Sequence, residues 1–162
     1  MQKIIKNRLD YKPLFWLPHN TFLQFFIYEN FTIVKSKISF KKNNVSIIKK
    51  YMLGNMIELN GINLVTETFQ LKINETIIKN IEVNEFKKNS ETLIIPLPKE
   101  TLSLEILTEV KIFPKENKSL EGLYESNSML CTQCEPEGFR KITWFPDRPD
   151  CLSLFKVKIE SS

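Results

Sequence analysis

The chain has 162 residues, of which 42% are hydrophobic and 12 are Phe, and its 23 basic against 19 acidic residues leave a net charge of +4. That length suits one domain, since a domain takes roughly 100–200 residues, and the apolar content excludes a disordered polar tail. So small a positive excess does not by itself assign a nucleic-acid partner, and the distribution of charge along the chain has to decide.

Residues 1–10 are polar and basic, with no apolar core of a secretory leader, and no apolar run reaches the ~18 residues a membrane span needs. Met1 reads as a natural start and Ser162 as a cut end. Three cysteines leave at least one unpaired, which favours a reducing cytoplasm. The sequons at Asn30 and Asn74 are then silent. The single histidine, His19, stands in a Pro-His-Asn stretch.

Residues 22–27 form a short apolar run, the first candidate for a buried strand. Residues 34–40 (Val-Lys-Ser-Lys-Ile-Ser-Phe) alternate apolar and polar with period two, which predicts a half-buried strand. Lys35, Lys37, Lys41, Lys42, Lys49 and Lys50 follow one another with no acid between them. Because they alternate with apolar residues, and Arg is nearly absent there, they read as the solvated face of a sheet, not as a phosphate-binding stripe. The richness in Asn, Ile and Lys, and the lack of Ala, also fit an AT-rich gene.

Residues 56–59 and 93–95 are further apolar runs. Pro96 and Pro98 predict that the second of these ends there or lies on an edge. Residues 69–73 alternate again, and Asn74, Glu75 and Thr76 supply a turn before Ile77 and Ile78. Residues 102–106 and 155–159 repeat the period-two pattern of a half-buried strand. The helical candidate is a turn or two over 137–143, beginning after Pro136, since proline suits a first helical position. Turn signals recur every 8–15 residues and nothing sustains a 3.6-residue period, so the pattern predicts an all-β, mostly antiparallel sandwich with one or two short helical turns.

Chemistry-bearing residues concentrate between 119 and 151. Cys131 and Cys134 form a Cys-x-x-Cys pair. A zinc ribbon would need a second pair or histidines, and only Cys151 remains. A redox dithiol would need a βαβ setting that these β-rich surroundings do not offer. The plain reading is two small residues that shape a loop. Glu135 and Gln133 alone read as solvated loop residues. Arg140, Asp147 and Arg148 offer either a clamp for a substrate carboxylate or a structural ion-pair set, the latter being favoured. Asp150 is placed to cap a following turn. Tyr124, Trp144 and Phe145 read as core or interdomain packing.

Residues 119–124 (Ser-Leu-Glu-Gly-Leu-Tyr), 131–140 (Cys-Thr-Gln-Cys-Glu-Pro-Glu-Gly-Phe-Arg) and 147–150 (Asp-Arg-Pro-Asp) carry a resemblance. In order and spacing they resemble the signature near the end of the N-terminal domain of the aminopeptidase N family. Those enzymes are zinc peptidases of the gluzincin type, including the bacterial alanyl aminopeptidases. The start of the chain, Asp10 to Pro13, resembles that family's entry as well. Trp144, Pro146 and Cys151 depart from it, standing where the family has Tyr, an aliphatic residue and Val.

The resemblance implies that residues 1–162 are the family's saddle-like N-terminal β domain, without the catalytic domain. It implies that Glu135 grips the α-ammonium group of a peptide substrate and that Gln133 lines the first side-chain pocket. The cysteines of the loop are not catalytic in the family. Zinc would act in the full-length enzyme, polarising the scissile carbonyl and activating water beside a general base. None of it would be ligated by this chain, which has one His and no His-Glu-x-x-His. The expected partners are a peptide N-terminus and the catalytic domain of the same polypeptide, docking on a patch around Tyr124, Trp144 and Phe145. The chain is expected to be monomeric and cytoplasmic, with no nucleic-acid or membrane partner, and inactive alone. A free-standing β-sandwich binding module is the alternative.

Overall fold

The structure, a computed structural model, describes residues 11–43 and 55–161. Ten strands follow in chain order: β1 (Trp16–Ile27), β2 (Thr32–Lys42), β3 (Met56–Asn60), β4 (Val65–Ile73), β5 (Thr76–Asn80), β6 (Thr92–Pro96), β7 (Leu104–Ile112), β8 (Gly122–Ser126), β9 (Met129–Gln133) and β10 (Leu154–Ser161). They form a six-stranded sheet in the order β10-β1-β2-β7-β4-β5 and two small sheets, β3-β6 and β8-β9. Every pairing is antiparallel except β10 on β1. Among the described residues two 3-10 turns, Val83–Phe86 and Phe139–Lys141, complete an all-β fold.

The period-two pattern places the large sheet in one step. Along β2, Thr32, Val34, Ser36, Ile38 and Phe40 are buried while Lys35, Lys37 and Lys41 are exposed. Along β7, Leu104, Ile106, Thr108, Val110 and Ile112 face the same way. The apolar ones among them share one cluster with Ile57, Leu59, Leu93 and Ile95 of the β3-β6 pair. On the opposite face, Lys35 meets Glu109 at 3.0 Å and Lys37 meets Glu105 at 3.1 Å, both acids lying on β7. Lys35 and Lys37 of the stripe are therefore neutralised across the sheet, though no acid stands near them in sequence. Lys49 and Lys50 lie outside the described residues.

Several boundaries differ from expectation for visible reasons. β1 starts six residues early, at Trp16, because a bulge between Pro18 and Asn20 lets the strand absorb its proline. β7 starts at Leu104, and Leu102 stands outside it, 78% exposed. The backbone N–H groups of Leu102 and Ser103 donate to Asn74 Oδ1, which ties this segment to the β4–β5 turn instead of the sheet. That turn falls where expected, with Asn74 and Glu75 at φ 50° and 67°. Pro96 ends β6, as its missing N–H requires. The predicted helical turn shrinks to Phe139–Lys141.

β10 is a correction. It is a strand, but not the half-buried one its alternation predicts: Leu154, Phe155, Val157 and Ile159 are 49–69% exposed. It lies at the sheet edge, hydrogen-bonded to β1, and of its apolar side Phe155 packs against Phe139 and Phe145 while Val157 and Ile159 stay at least half exposed. The alternation was real, but past Phe155 the burial it signals is not supplied by the described residues.

Candidate functional site

The β8–β9 hairpin builds the region that holds Gln133 and Glu135. Its two-residue turn, Asn127 and Ser128, has φ of 49° and 60°, the pair of positive values that matches the twist of a tight hairpin. Sequence reading assigned no strands here, since 122–133 alternates too weakly to announce them; the Asn-Ser pair was the available signal. β9 ends at Gln133. The chain then reverses within five residues, closed by a hydrogen bond from the Gly138 N–H to the Cys134 carbonyl at 2.9 Å.

Gly138 is required for that reversal. A Cβ there would lie 2.7 Å from the Gln133 carbonyl oxygen and 3.2 Å from Cys134 Cα, both rigid backbone atoms. The fold thus brings Gln133 and Glu135 onto one short exposed segment, and the Gln133 Nε2 donates to the Glu135 carbonyl at 2.6 Å. Nearby acids are engaged by cations: Glu121 by Lys141, Glu137 and Asp147 by Arg140, and Asp150 by Arg148. Among the described residues no cation lies within ion-pair distance of the Glu135 carboxylate.

The far side of this loop is clamped. Asp147 Oδ2 accepts from the backbone N–H of Arg140 at 3.0 Å and from its Nε at 3.1 Å, while Arg140 Nη2 donates to the Asp147 carbonyl at 2.9 Å. The ion-pair reading of these two residues is the one the geometry supports, since both side chains are only 12% exposed and face each other. Arg148 pairs with Asp150 at 2.8 Å and also donates to the Lys12 carbonyl. Asp150 caps no following turn, because its carboxylate is occupied by Arg148 and by the Tyr11 hydroxyl. Burial alone would raise the Asp150 carboxyl; these hydrogen bonds and the Arg148 charge outweigh it and hold it below the usual range.

Aromatic residues seat the clamp. Phe139, Phe145 and Phe155 stack with centroids 4.9–6.0 Å apart. The Trp144 Nε1 donates to Thr66 at 3.0 Å, and Thr143 joins a buried hydroxyl cluster with Ser36 and Thr108. Trp144 and Phe145 are 2% and 4% exposed, and Tyr124 is half-buried. Trp144 and Phe145 therefore do not form the expected docking patch, since both rings are buried within the chain, while Tyr124 stays partly exposed. Exposed apolar side chains lie along β10 and the preceding Leu152, and also at Leu120, Met129 and Leu130 on and beside the β8–β9 hairpin.

The three cysteines are free and partly buried. Burial raises the Cys134 thiol and pushes Cys151 to about 11, which suits packing residues, not nucleophiles. The chain does not fit a zinc centre: among the described residues no three His, Cys, Asp or Glu side chains are grouped to hold a metal. His19 lies on β1, far in sequence from the cysteines.

Residues 27–162 match the Peptidase M1 N-terminal domain family. Aminopeptidase N of Caulobacter vibrioides is 34% identical over 155 residues, covering 96% of this chain and 16% of that protein. Aminopeptidase N of Escherichia coli is 47% identical over 74 residues, covering 46% of this chain and 8% of that protein. The structure of Legionella pneumophila aminopeptidase A in complex with aspartic acid superposes with a TM-score of 0.76 at 27% identity, over 95% of this chain and 17% of that one. An M1 zinc metallopeptidase from Deinococcus radiodurans shares the fold, with a TM-score of 0.66 at 11% identity over 90% of this chain and 32% of its own. The chain spans about a sixth of the length of the full aminopeptidase relatives it matches along its whole extent. An all-β domain of this topology, with the hairpin and loop signature in place and matched over 27–162, belongs to the Peptidase M1 N-terminal domain family.

Proposed function

We propose that this chain is the substrate-anchoring N-terminal domain of a cytoplasmic zinc aminopeptidase that removes single N-terminal residues from peptides. Glu135 grips the α-ammonium group of the substrate, and Gln133 lines the pocket for its first side chain. The observation that carries this reading is the contrast between Glu135 and its neighbours. Four acids around it already have cationic partners, while Glu135 is exposed, without one, on a loop whose backbone is held rigidly from behind. A carboxylate held without a counter-ion is what a protonated amine needs.

Zinc and the general base belong to polypeptide outside this chain, so the 162 residues alone bind peptide ends weakly and cleave nothing. The short span relative to full aminopeptidases supports that division of labour. In the whole enzyme the apolar side of β10 is where the remaining polypeptide covers this domain, since interdomain faces of roughly 600–1,500 Å² need such a surface.

The test is Glu135→Ala in the full-length enzyme. Losing one charge-assisted hydrogen bond of about 1.5–3 kcal/mol lowers kcat/KM for free-amine peptides roughly tenfold to hundredfold. Zinc content stays unchanged, and the gap between free and N-blocked substrates narrows. Gln133→Ala costs less and shifts side-chain preference more. A Glu135→Ala enzyme within twofold of wild type on free-amine peptides refutes the anchor.

A further inference from the structure

We propose that Asp147, acting through Arg140, is a positioning residue for the Glu135 amine anchor; this rests on the anchor reading above. The observation is a continuous set of hydrogen bonds from a core strand to the loop. At the end of β3, the Asn60 N–H donates to the Phe145 carbonyl at 2.8 Å, and the Phe145 N–H returns to Asn60 at 3.1 Å. The Asn60 Oδ1 accepts the Asp147 N–H at 3.2 Å, and the Ile62 N–H donates to the Arg140 carbonyl at 2.9 Å. Asp147 is thus fixed to the β3 end, and its carboxylate holds both the backbone and the guanidinium of Arg140. From Arg140 the set continues outward. Nη2 lies 3.5 Å from the Glu137 carboxylate, the Lys141 N–H closes on the Gly138 carbonyl, and the Gly138 N–H closes on Cys134, the residue before Glu135.

The chemistry of the pair points to orientation over cohesion. Two charges only 12% exposed lose much of their hydration, and a well-packed apolar pair would hold the two segments together at least as firmly. An apolar pair has no direction, however. A planar guanidinium gripped at Nε and Nη2 by one aspartate has a fixed angle, and the backbone N–H bond to the same oxygen fixes the loop entry with it. An anchoring carboxylate displaced by about 1 Å loses much of its worth in placing a scissile bond, so a rigid bearing beneath Glu135 serves catalysis, not only folding.

The experiment uses the zinc-loaded, full-length enzyme carrying this domain, with Asp147→Asn, which keeps the shape and removes the charge. We expect kcat/KM for free-amine peptides to fall at least tenfold, with zinc content unchanged and turnover of N-blocked substrates unmoved. In a Glu135→Ala background the same substitution then changes kcat/KM by less than twofold, because the residue it positions is gone. Equal losses on free and blocked substrates, or effects of the two substitutions that multiply, overturn the positioning role while leaving the anchor intact. A silent Glu135→Ala overturns the anchor and this inference together. Should Asp147→Asn fail to fold, Arg140→Lys keeps the charge and drops the fork, and the same outcomes decide. In the 162-residue chain, hydrogen exchange provides a readout independent of activity. The Gly138 amide loses protection in the variant while β2 and β7 amides keep theirs; unchanged protection at Gly138 overturns the proposal.

Discussion

Gly61 is the position at which one methyl group tests the packing beneath the candidate site. A Cβ built on it would lie 2.5, 2.6 and 2.8 Å from three atoms of the Trp144 ring, well inside contact distance. Gly61 is not in the left-handed region, so Gly61→Ala brings no backbone strain and would by itself stabilise by about 0.4–1 kcal/mol through the unfolded chain. The ring must move instead. It is 2% exposed and hydrogen-bonded to Thr66, so it has no free space to enter. Overpacking of this kind costs about 1–3 kcal/mol, and a broken indole hydrogen bond about 1 more. After subtraction the net loss is about 1–3.5 kcal/mol, which lowers Tm by roughly 2–14 °C for a domain of this size. Thermal unfolding followed by circular dichroism measures it. In a Trp144→Phe background, which removes the ring atoms in the way, Gly61→Ala should cost much less. If Gly61→Ala is neutral or stabilising, or costs the same in both backgrounds, the close approach of Gly61 to Trp144 is not what holds this region.

Two further outcomes follow from the same structure. Cys151, pushed to about 11 by burial, stays protonated in the folded chain, so at pH 8 its alkylation should run roughly a hundredfold slower than in the denatured chain, read peptide by peptide by mass spectrometry. Because its folded value lies above its ordinary 9.0, the associated stability is complete below about pH 9 and lost as pH rises towards 11; melting that is flat across that window would contradict the burial. The exposed apolar edge of β10 should drive weak, concentration-dependent self-association of the isolated chain, which Val157→Lys reduces without changing Tm, because Val157 is 50% exposed. Sedimentation that stays monomeric across the concentration range would count against that edge as an adhesive surface.

Strands whose neighbours supply a second apolar layer were legible from alternation alone: residues 34–40 and 69–73 fall inside β2 and β4. Residues 155–159 carry the same alternation, yet they stand exposed in β10. Period two reports which side chains share a face, and says nothing about whether anything lies over that face. The lysine stripe shows the same limit in charge. Local sequence offers no acid near Lys35 or Lys37, and their partners, Glu109 and Glu105, arrive from some seventy residues downstream through strand pairing. The misread role of Trp144 and Phe145 has a related origin. Trp144 and Phe145 look like interdomain aromatics until Gly61 and the Phe139–Phe155 contacts show that their faces are already filled.

The candidate site was legible where its parts are close in sequence and hidden where they are not. Gln133 and Glu135 are two residues apart, and Arg140 and Asp147 are seven apart, so a local motif can display them. What gives the loop a fixed direction is Asn60, which receives both Phe145 and Asp147, together with Ile62, which holds the Arg140 carbonyl. No pattern around residue 60 advertises that role. A loop carboxylate is ordinary while its backbone can swing, because a mobile side chain gains little from a single ligand contact after its own ordering is counted. On the proposed anchor reading, the same carboxylate, clamped from behind by a core strand, offers one position to an incoming ammonium group. On that reading the difference between a surface glutamate and an anchor resides less in Glu135 than in the largely buried Arg140–Asp147 pair and the end of β3 that holds it.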